Sequence, residues 1–360
     1  MKIAIVGAGP AGSTAAMLLS ESRRHEVVLL DRDTFPRTKT CGSGLGPRCL
    51  SLFKKIGLHD RMAGLAMGIR GIRFVGPGGD EATLGGNEEG AWIIPRKTFD
   101  AEIAFRAERS GARFVQEFKA IKALRDPTGR IHGVSDGKTE IEADLVLFCD
   151  GAHSRFSVDR RPRHQIATIM GWYEDVPYTS GYLEMFFDQR VRPWYGWLFP
   201  ETATRVNIGI CYNPDDTADP KQIFAEVVER NIGQRMRGAT QVGKFRGAPI
   251  CYTRTVGPVA APGALWVGES ARLTNAATGE GIYHAMKSAT VASEALSRHD
   301  RPGMALYSDY TQQTTRAFTV PLNTAVGFMN FVATPAFSWV SSLVTSRLVR
   351  EPLRLLLANI

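Results

Sequence analysis

The chain has no C-x-x-C pair, and its five cysteines, Cys41, Cys49, Cys149, Cys211 and Cys251, are odd in number. That pattern offers neither a disulfide framework nor a zinc ribbon, and it predicts reduced thiols in a cytoplasmic protein. H-E-x-x-H, G-x-S-x-G and metal-spaced Cys/His clusters are also missing, so metal and acyl-transfer chemistry lack their signatures. No internal repeat or low-complexity segment stands out. Met1-Lys2 leads straight into a strand-like run without an apolar leader, so no secretory signal is expected. A membrane span takes about 20 apolar residues. The nearest candidate, the uncharged stretch 317–346, is interrupted by Pro321, Asn323, Asn330 and Pro335. It is expected to form two broken helices rather than one span. Basic clusters are short (Arg23-Arg24, Arg160-Arg161) and carry no interleaved aromatics. The net charge of +8 is therefore read as a mildly basic surface, with no nucleic-acid partner.

What is present is an ordinary folded composition, with 44% hydrophobic and 22% charged residues over 360 positions. Two domains, or one with an inserted sheet, fit that length. Lys2–Val6 reads as a short buried strand, Ser13–Ser20 as a helix and Glu26–Leu30 as a second strand. Between the first two lies Gly7-Ala8-Gly9-Pro10-Ala11-Gly12, a G-x-G-x-x-G loop. Its first glycine allows the tight turn, its second lets backbone approach a pyrophosphate, and its third lets helix and strand pack closely. The helix N-terminus offers N–H groups and positive dipole to phosphates. Asp31, followed by Arg32, stands about 20 residues on, where a carboxylate meets a ribose hydroxyl.

Two further strand-like runs end in the same manner. One, within 141–149, leads to Asp150-Gly151; the other, Leu265-Trp266-Val267, leads to Gly268-Glu269. A helix opening at Arg96 and ending at Gly111 carries Phe99, Ile103, Ala104 and Ala107 on one face. Another begins near Ile282, just after Gly279 and Gly281. Three separated strands that each end in a glycine-bearing turn suggest a ligand longer than the usual grip on a nicotinamide dinucleotide. His153 and Arg155 read as solvated loop residues, and His284 as a satisfied helix histidine. Tyr195, Trp197 and Phe199 alternate, so they share one face of a strand, either a core face or a substrate wall. Met185, Phe186, Phe187, Trp172 and Tyr173 are expected to add apolar surface to the same sheet, which suits an isoprenoid or polycyclic ligand.

In this order the motifs resemble the FAD-dependent superfamily of aromatic hydroxylases, over most of residues 1–300. Within it, "TCGSGLGPRCL" (40–50), "PWYGWLFP" (193–200) and "TGEGI" (278–282) are similar to stretches of the geranylgeranyl reductase family. Two positions depart from that pattern: Glu269 replaces the usual Asp, and Thr40 the usual Pro. The resemblance implies an α/β fold. A Rossmann-like, three-layer FAD domain (1–73, 96–163, 255–300) would carry an inserted antiparallel substrate sheet (74–95, 164–254) and a C-terminal helical segment (301–360). It implies FAD contacts from Gly7, Gly9, Pro10, Ala11, Gly12, Asp31, Arg32, Cys41, Gly42, Arg96, Asp150, Gly151, Gly268, Glu269, Gly279, Gly281 and Ile282. Tyr195, Trp197 and Phe199 would face substrate.

Cys41 would pass over the flavin face and protonate an alkene as flavin N5 delivers hydride; the bland reading is a small apolar filler. The expected activity is reduction of carbon–carbon double bonds in a lipophilic, isoprenoid-like substrate. The alternatives are a monooxygenase acting through a flavin C4a-hydroperoxide and a non-enzymatic flavin- or lipid-binding protein. A halogenase is disfavoured, because such relatives carry W-x-W-x-I-P where this chain has Tyr195 to Pro200. No second G-x-G-x-x-G occurs, so electrons would come from transient NAD(P)H or from a reductase or ferredoxin. The basic stripe Arg347, Arg350 and Arg354 beside Leu348, Leu355 and Leu356 suits a peripheral membrane contact, a cover over the cavity or a dimer contact.

Overall fold

A computed structural model describes residues 1–76, 81–86, 90–159 and 164–337. The first half of the chain runs β1 (Lys2–Val6), α1 (Pro10–Glu21), β2 (Glu26–Leu30), β3 (Gly44–Leu45), α2 (Pro47–Lys55), α3 (His59–Ala63), β4 (Met67–Ile69), β5 (Gly71–Val75), β6 (Glu81–Gly85), β7 (Ala91–Ile93), α4 (Arg96–Arg109), β8 (Arg113–Val115), β9 (Lys122–Arg125), β10 (Ile131–Ser135), β11 (Glu140–Glu142) and β12 (Leu145–Phe148). The second half adds β13 (Gln165–Glu174), β14 (Tyr182–Phe186), β15 (Gly196–Pro200), β16 (Arg205–Tyr212), α5 (Pro220–Ile232), β17 (Thr240–Cys251), β18 (Ala260–Ala261), β19 (Ala264–Trp266), α6 (Ile282–Arg298) and α7 (Met304–Val332).

Six strands form a sheet in the order β18-β19-β12-β1-β2-β8, parallel except at β18. Parallel strands are buried on both faces, and β1 has side chains for each. Ile3 and Ile5 pack under α1, α4 and α6, while Ala4 and Val6 meet the three-stranded sheet β11-β10-β9. Helices, parallel sheet and small antiparallel sheet make the three layers. On α4, Phe99, Ile103, Ala104 and Ala107 are all fully buried, as their spacing predicts.

The second large sheet runs β17-β13-β16-β15-β14-β5-β6 and is antiparallel except where β14 pairs with β5. One face carries α5, against which Tyr173, Phe186, Leu198 and Ile208 pack. The other turns toward the parallel sheet. All five residues of β5 pair in this large sheet, so the division expected at residue 73 moves back to the Ile69–Gly71 turn. β7, expected in the insert, pairs instead with β3 and β4.

The expectation of two broken helices is corrected at Pro321. α7 continues through that proline for 29 residues. A mid-helix proline forfeits a hydrogen bond and strains the preceding turn. Here Phe318, Leu322, Ala325, Val326, Met329 and Val332 are buried along one face, and that packing outweighs the local cost. The chain leaves the helix at Ala333 and Thr334, before Pro335. The arginine stripe at 347–354 and the Arg160-Arg161 cluster lie outside the described residues.

Candidate functional site

The parallel strands β1, β2, β12 and β19 end side by side, and the residues that follow them are Gly7, Asp31, Asp150 and Glu269. All four line one cavity of about 1260 Å³, at the edge where open α/β sheets bind ligands. Single-ligand pockets span about 300–1,000 Å³, so there is room for a long cofactor and a second molecule. Of the residues expected to contact FAD or to face substrate, Gly12 and Gly268 stand behind the wall; the others line it.

Packing separates the three loop glycines. At Gly7, φ is +98° and a Cβ would meet Cys149 O at 2.6 Å; at Gly12 it would stand 1.9 Å from Gly7 O. At Gly9 a Cβ would meet only Arg37 Nη2, at 3.7 Å. Nothing in the protein forbids a side chain at Gly9; the open space lies on the ligand's side. Asp31 Oδ2 accepts from Ala8 N at 2.7 Å and Oδ1 from Asp33 N at 3.0 Å. A carboxylate has about four acceptor sites, so capacity remains for a ribose hydroxyl. Burial pushes this carboxyl up from its ordinary value, and Arg37 and the two N–H groups oppose the shift.

Arg96 was expected to face the cofactor. It lines the cavity, but its guanidinium grips Asp100 through two bonds, 2.6 and 2.7 Å long, and also donates to the Cys41 sulfur. On the far side of Asp100, Arg37 Nη1 stands 3.0 Å away, and Arg37 Nε lies 3.8 Å from Asp31. A buried ion chain thus ties the Cys41 loop to the glycine loop. Cys41 is the half-buried cysteine of the five, and all five are free. Its Sγ also accepts from Ser43 N at 3.3 Å.

Glu269 Oε1 accepts from Cys251 N at 3.1 Å. Burial raises its carboxyl, and the Cys251 N–H and the nearby Lys39 ammonium counter that. Lys39 is half-buried on the cavity wall, with its amine pushed down by loss of solvent and by Arg96. Asp150 is pushed up to about 6 by burial, and its Oδ1 has no hydrogen-bond partner. Thr274 Oγ1, also on the wall, has none either. Gly279, Gly281 and Ile282 bring the N-terminus of α6 to the cavity. His153 and Arg155 are exposed loop residues, as expected, and they also reach the wall. His284 stays behind it, against Tyr283 and Phe318. Burial pushes it down to about 4, its ring hydrogen-bonds the Glu280 main chain, and its Nδ1 is unpartnered, so it is a neutral helix histidine satisfied on one side.

The opposite wall is aromatic. Tyr195, Trp197 and Phe199 follow one another at ring spacings of 6.3 and 6.2 Å, and Leu198 points away into the α5 core. The Tyr195 hydroxyl donates to Thr278 O. Trp197 Nε1 donates to the buried Asn207 Oδ1 at 2.7 Å. Met185 joins this wall, whereas Phe186 and Tyr173 face α5. A Cβ on Gly42 would touch the Phe199 ring at 3.1 Å, so the Cys41 loop closes directly onto the aromatic wall.

Sequence reasoning missed Arg37, Lys39, Asp100, Arg48, Glu280 and Asn207. The four-residue spacing of Arg96 and Asp100 was an available signal; the others depend on strands and loops far apart in the chain. A long dinucleotide fits this donor set. It would enter beside the open face of Gly9, cross the unpartnered Asp150 and Thr274 oxygens, and end at the α6 N-terminus.

Residues 1–299 match the family described as FAD binding domain. The chain is 30% identical over 318 residues to the menaquinone reductase of Mycobacterium tuberculosis, covering 83% of this chain and 77% of that protein. It is 28% identical over 315 residues to the digeranylgeranylglycerophospholipid reductase of Methanothrix thermoacetophila, covering 82% and 77%. A solved geranylgeranyl bacteriochlorophyll reductase-like protein from Thermoplasma acidophilum superposes with a TM-score of 0.80 at 18% identity, over 99% of this chain and 98% of that one. At that identity the likeness is one of fold.

Proposed function

The chain belongs to the FAD-binding flavoprotein family and, within it, to the geranylgeranyl reductases, and from that premise we propose that it saturates carbon–carbon double bonds of an isoprenoid-like substrate held against the aromatic wall. The observation that carries this reading is the single cavity in which four strand ends and the α6 N-terminus meet Tyr195, Trp197 and Phe199, with Cys41 at the seam. When bound and reduced, FAD supplies the hydride.

The chain's residues do the rest. Gly7, Gly9, Pro10 and Ala11 would receive the pyrophosphate at the positive end of α1, with Gly12 packing the helix against β1 behind them. Asp31 and Arg32 would take the adenosine ribose; Asp150, Gly151 and Glu269 would take the ribityl chain, with Gly268 packed behind them against Ala11 and Ala285. Gly279, Gly281 and Ile282 offer N–H groups to the flavin's pyrimidine edge, where the α6 dipole favours negative charge by about 0.3–1 kcal/mol. Gly42 packs the Cys41 loop onto Phe199, which closes the cavity on that side. Cys41 gives its thiol proton to the alkene, and the Arg96 guanidinium and Ser43 N–H hold the sulfur that remains.

The test is anaerobic reduction of the purified protein with NADH, NADPH or a protein donor, followed by prenyl substrates with neutral and phosphorylated heads. A product heavier by two hydrogens per double bond supports the reading. An oxygenated product, formed only after air is admitted, overturns it in favour of a monooxygenase.

Such substrates live in bilayers, and α7 offers a way to reach them. Among the described residues no helix is long and apolar enough to cross a membrane. Val320 and Phe331 are nevertheless 72% and 37% exposed on α7, whose other face packs Val326 and Met329 against the aromatic cluster of the wall. This outer face rests on a lipid surface, which gives a peripheral rather than spanning attachment. Sedimentation with anionic vesicles should carry the protein down, and the double variant Val320→Glu, Phe331→Glu should stay in solution. Equal sedimentation of both removes α7 from the contact.

A further inference from the structure

Hydrogenating a double bond takes a proton at one carbon as well as a hydride at the other, and a thiol that gives the proton must regain one before the next turnover. We propose that Glu280 returns that proton to Cys41 across the cavity; the inference rests on the reductase reading and on Cys41 as donor. Glu280 sits between Gly279 and Gly281, where α6 begins, and lines the same cavity as Cys41. It leans on the Cys41 loop itself. A Cβ on Gly46 would stand 3.4 Å from Glu280 Oε1. Its other oxygen, Oε2, lies 3.4 Å from Arg48 Nη2 at the start of α2. The Tyr195 hydroxyl stands at the same turn, 3.7 Å from where Gly279 would carry a Cβ.

Of the other acids on the wall, Asp31 is held by the Ala8 and Asp33 N–H groups. Tyr195 donates to Thr278 O. Glu269 accepts from Cys251 N and faces Lys39. Asp150 follows β12, with its Oδ1 unpartnered. Glu280 feels two opposed pulls, since burial favours its proton-bearing form and Arg48 favours its carboxylate. The remaining titratable groups around it are Cys49 on α2, Tyr195 before β15, and Tyr283 and His284 on α6, none of them carrying charge at neutral pH. Burial shifts an acid so placed toward its proton-bearing form, and once it has released the proton it leaves a charge that Arg48 already faces.

The step balances. As the substrate C–H bond forms, the Cys41 S–H bond breaks, and the thiolate faces Arg96 and Ser43 N–H. The Glu280 O–H bond then breaks as S–H reforms through cavity water, and the carboxylate recovers a proton from solvent. Both electrons travel with the hydride from reduced FAD, which a nicotinamide or protein donor has reduced beforehand.

The experiment mixes pre-reduced, FAD-loaded enzyme with a geranylgeranyl-chain substrate and compares the first turnover with the steady state. Glu280→Gln should slow the steady state at least about tenfold, by far more than it slows the first turnover, in which Cys41 already holds its proton. Glu280→Asp should recover most of the loss. A second readout needs no turnover: iodoacetamide alkylation of Cys41 across pH, with the other four cysteines buried, should shift its midpoint in Glu280→Gln. An unchanged steady state and an unmoved alkylation profile overturn the proposal. So does an equal fall in both phases, which makes Glu280 the direct donor or a structural group. If Cys41→Ser keeps the wild-type first turnover, it is the underlying Cys41 reading that fails, whatever Glu280 does.

Discussion

At one end of the cavity Gly7 and Gly9, backed by Gly12, bring main chain to the surface; at the other, Tyr195, Trp197 and Phe199 cover it with rings. The glycine end is shaped by contacts within one β-α turn and its neighbouring strand, down to a Cβ position 1.9 Å from a carbonyl oxygen. The aromatic end depends on partners from separate strands: Asn207 on β16 holds Trp197, and Gly209 leaves room for its ring. Backbone contacts tolerate no substitution and act as all or none. Side-chain contacts can be weakened by degrees. Lesions at the two ends should therefore differ in kind.

Gly9→Val should give the largest effect, and it separates cofactor from fold. The new side chain enters the open space beside Arg37, so the protein should fold with the thermal midpoint of FAD-stripped wild type and purify colourless. Gly12→Val should fail to fold, because its overlap with Gly7 O cannot relax without moving β1. Glu269→Ala should also lose FAD. Full FAD content in Gly9→Val, read from absorbance, would break the assignment of this end to the pyrophosphate.

At the seam, Cys41→Ser should retain FAD and slow double-bond reduction at least about tenfold, or 1.4 kcal/mol. Unchanged turnover returns Cys41 to a filler held by Arg96 and Ser43.

The same contrast explains what could be read from the sequence. Gly7, Gly9, Gly12 and Asp31 announce themselves because strand, turn, helix and acid lie within thirty residues and each glycine answers a local steric demand. The α4 stripe from Phe99 to Ala107 is equally local. Arg96 was legible as a residue of the site, and its Asp100 partner lies one helical turn on, but that it also touches Cys41 depends on a loop fifty residues earlier. Whether Tyr195 and its neighbours faced core or cavity was undecidable from alternation, since α5, which claims the opposite face, comes later in the chain. Pro321 misled for a related reason. A proline's local cost is visible in sequence, whereas the packing that offsets it belongs to the whole of α7.

The aromatic end invites a milder test. Asn207→Leu leaves the buried Trp197 indole N–H without its acceptor, and such an orphan costs about 1–3 kcal/mol. Stability measured by denaturant should fall by that amount, KM should rise, and FAD content should hold. Loss of FAD in this variant would erase the distinction between the ends.

The smallest effect expected is one of pH, and it belongs to the glycine end alone, because the aromatic wall near Asn207 carries no group that titrates near neutrality. Asp150 is raised from 3.8 to about 6 by burial. A carboxyl raised on folding stabilises in its protonated form. That contribution is fully present below about pH 4 and is lost as pH rises through about 6. Cavity water screens the group in FAD-free protein, which keeps the effect small. His284 works in the opposite direction: held near 4, it contributes stability above about pH 6.5 that is lost as pH falls toward 4. Asp150→Asn removes only the first term. In FAD-free protein its melting temperature, relative to wild type, should therefore rise between pH 4 and pH 7, while the deficit of Asn207→Leu stays flat. A flat Asp150→Asn difference would mean that the carboxyl sits in ordinary solvent and that the wall beyond β12 is more open than the buried cleft described above.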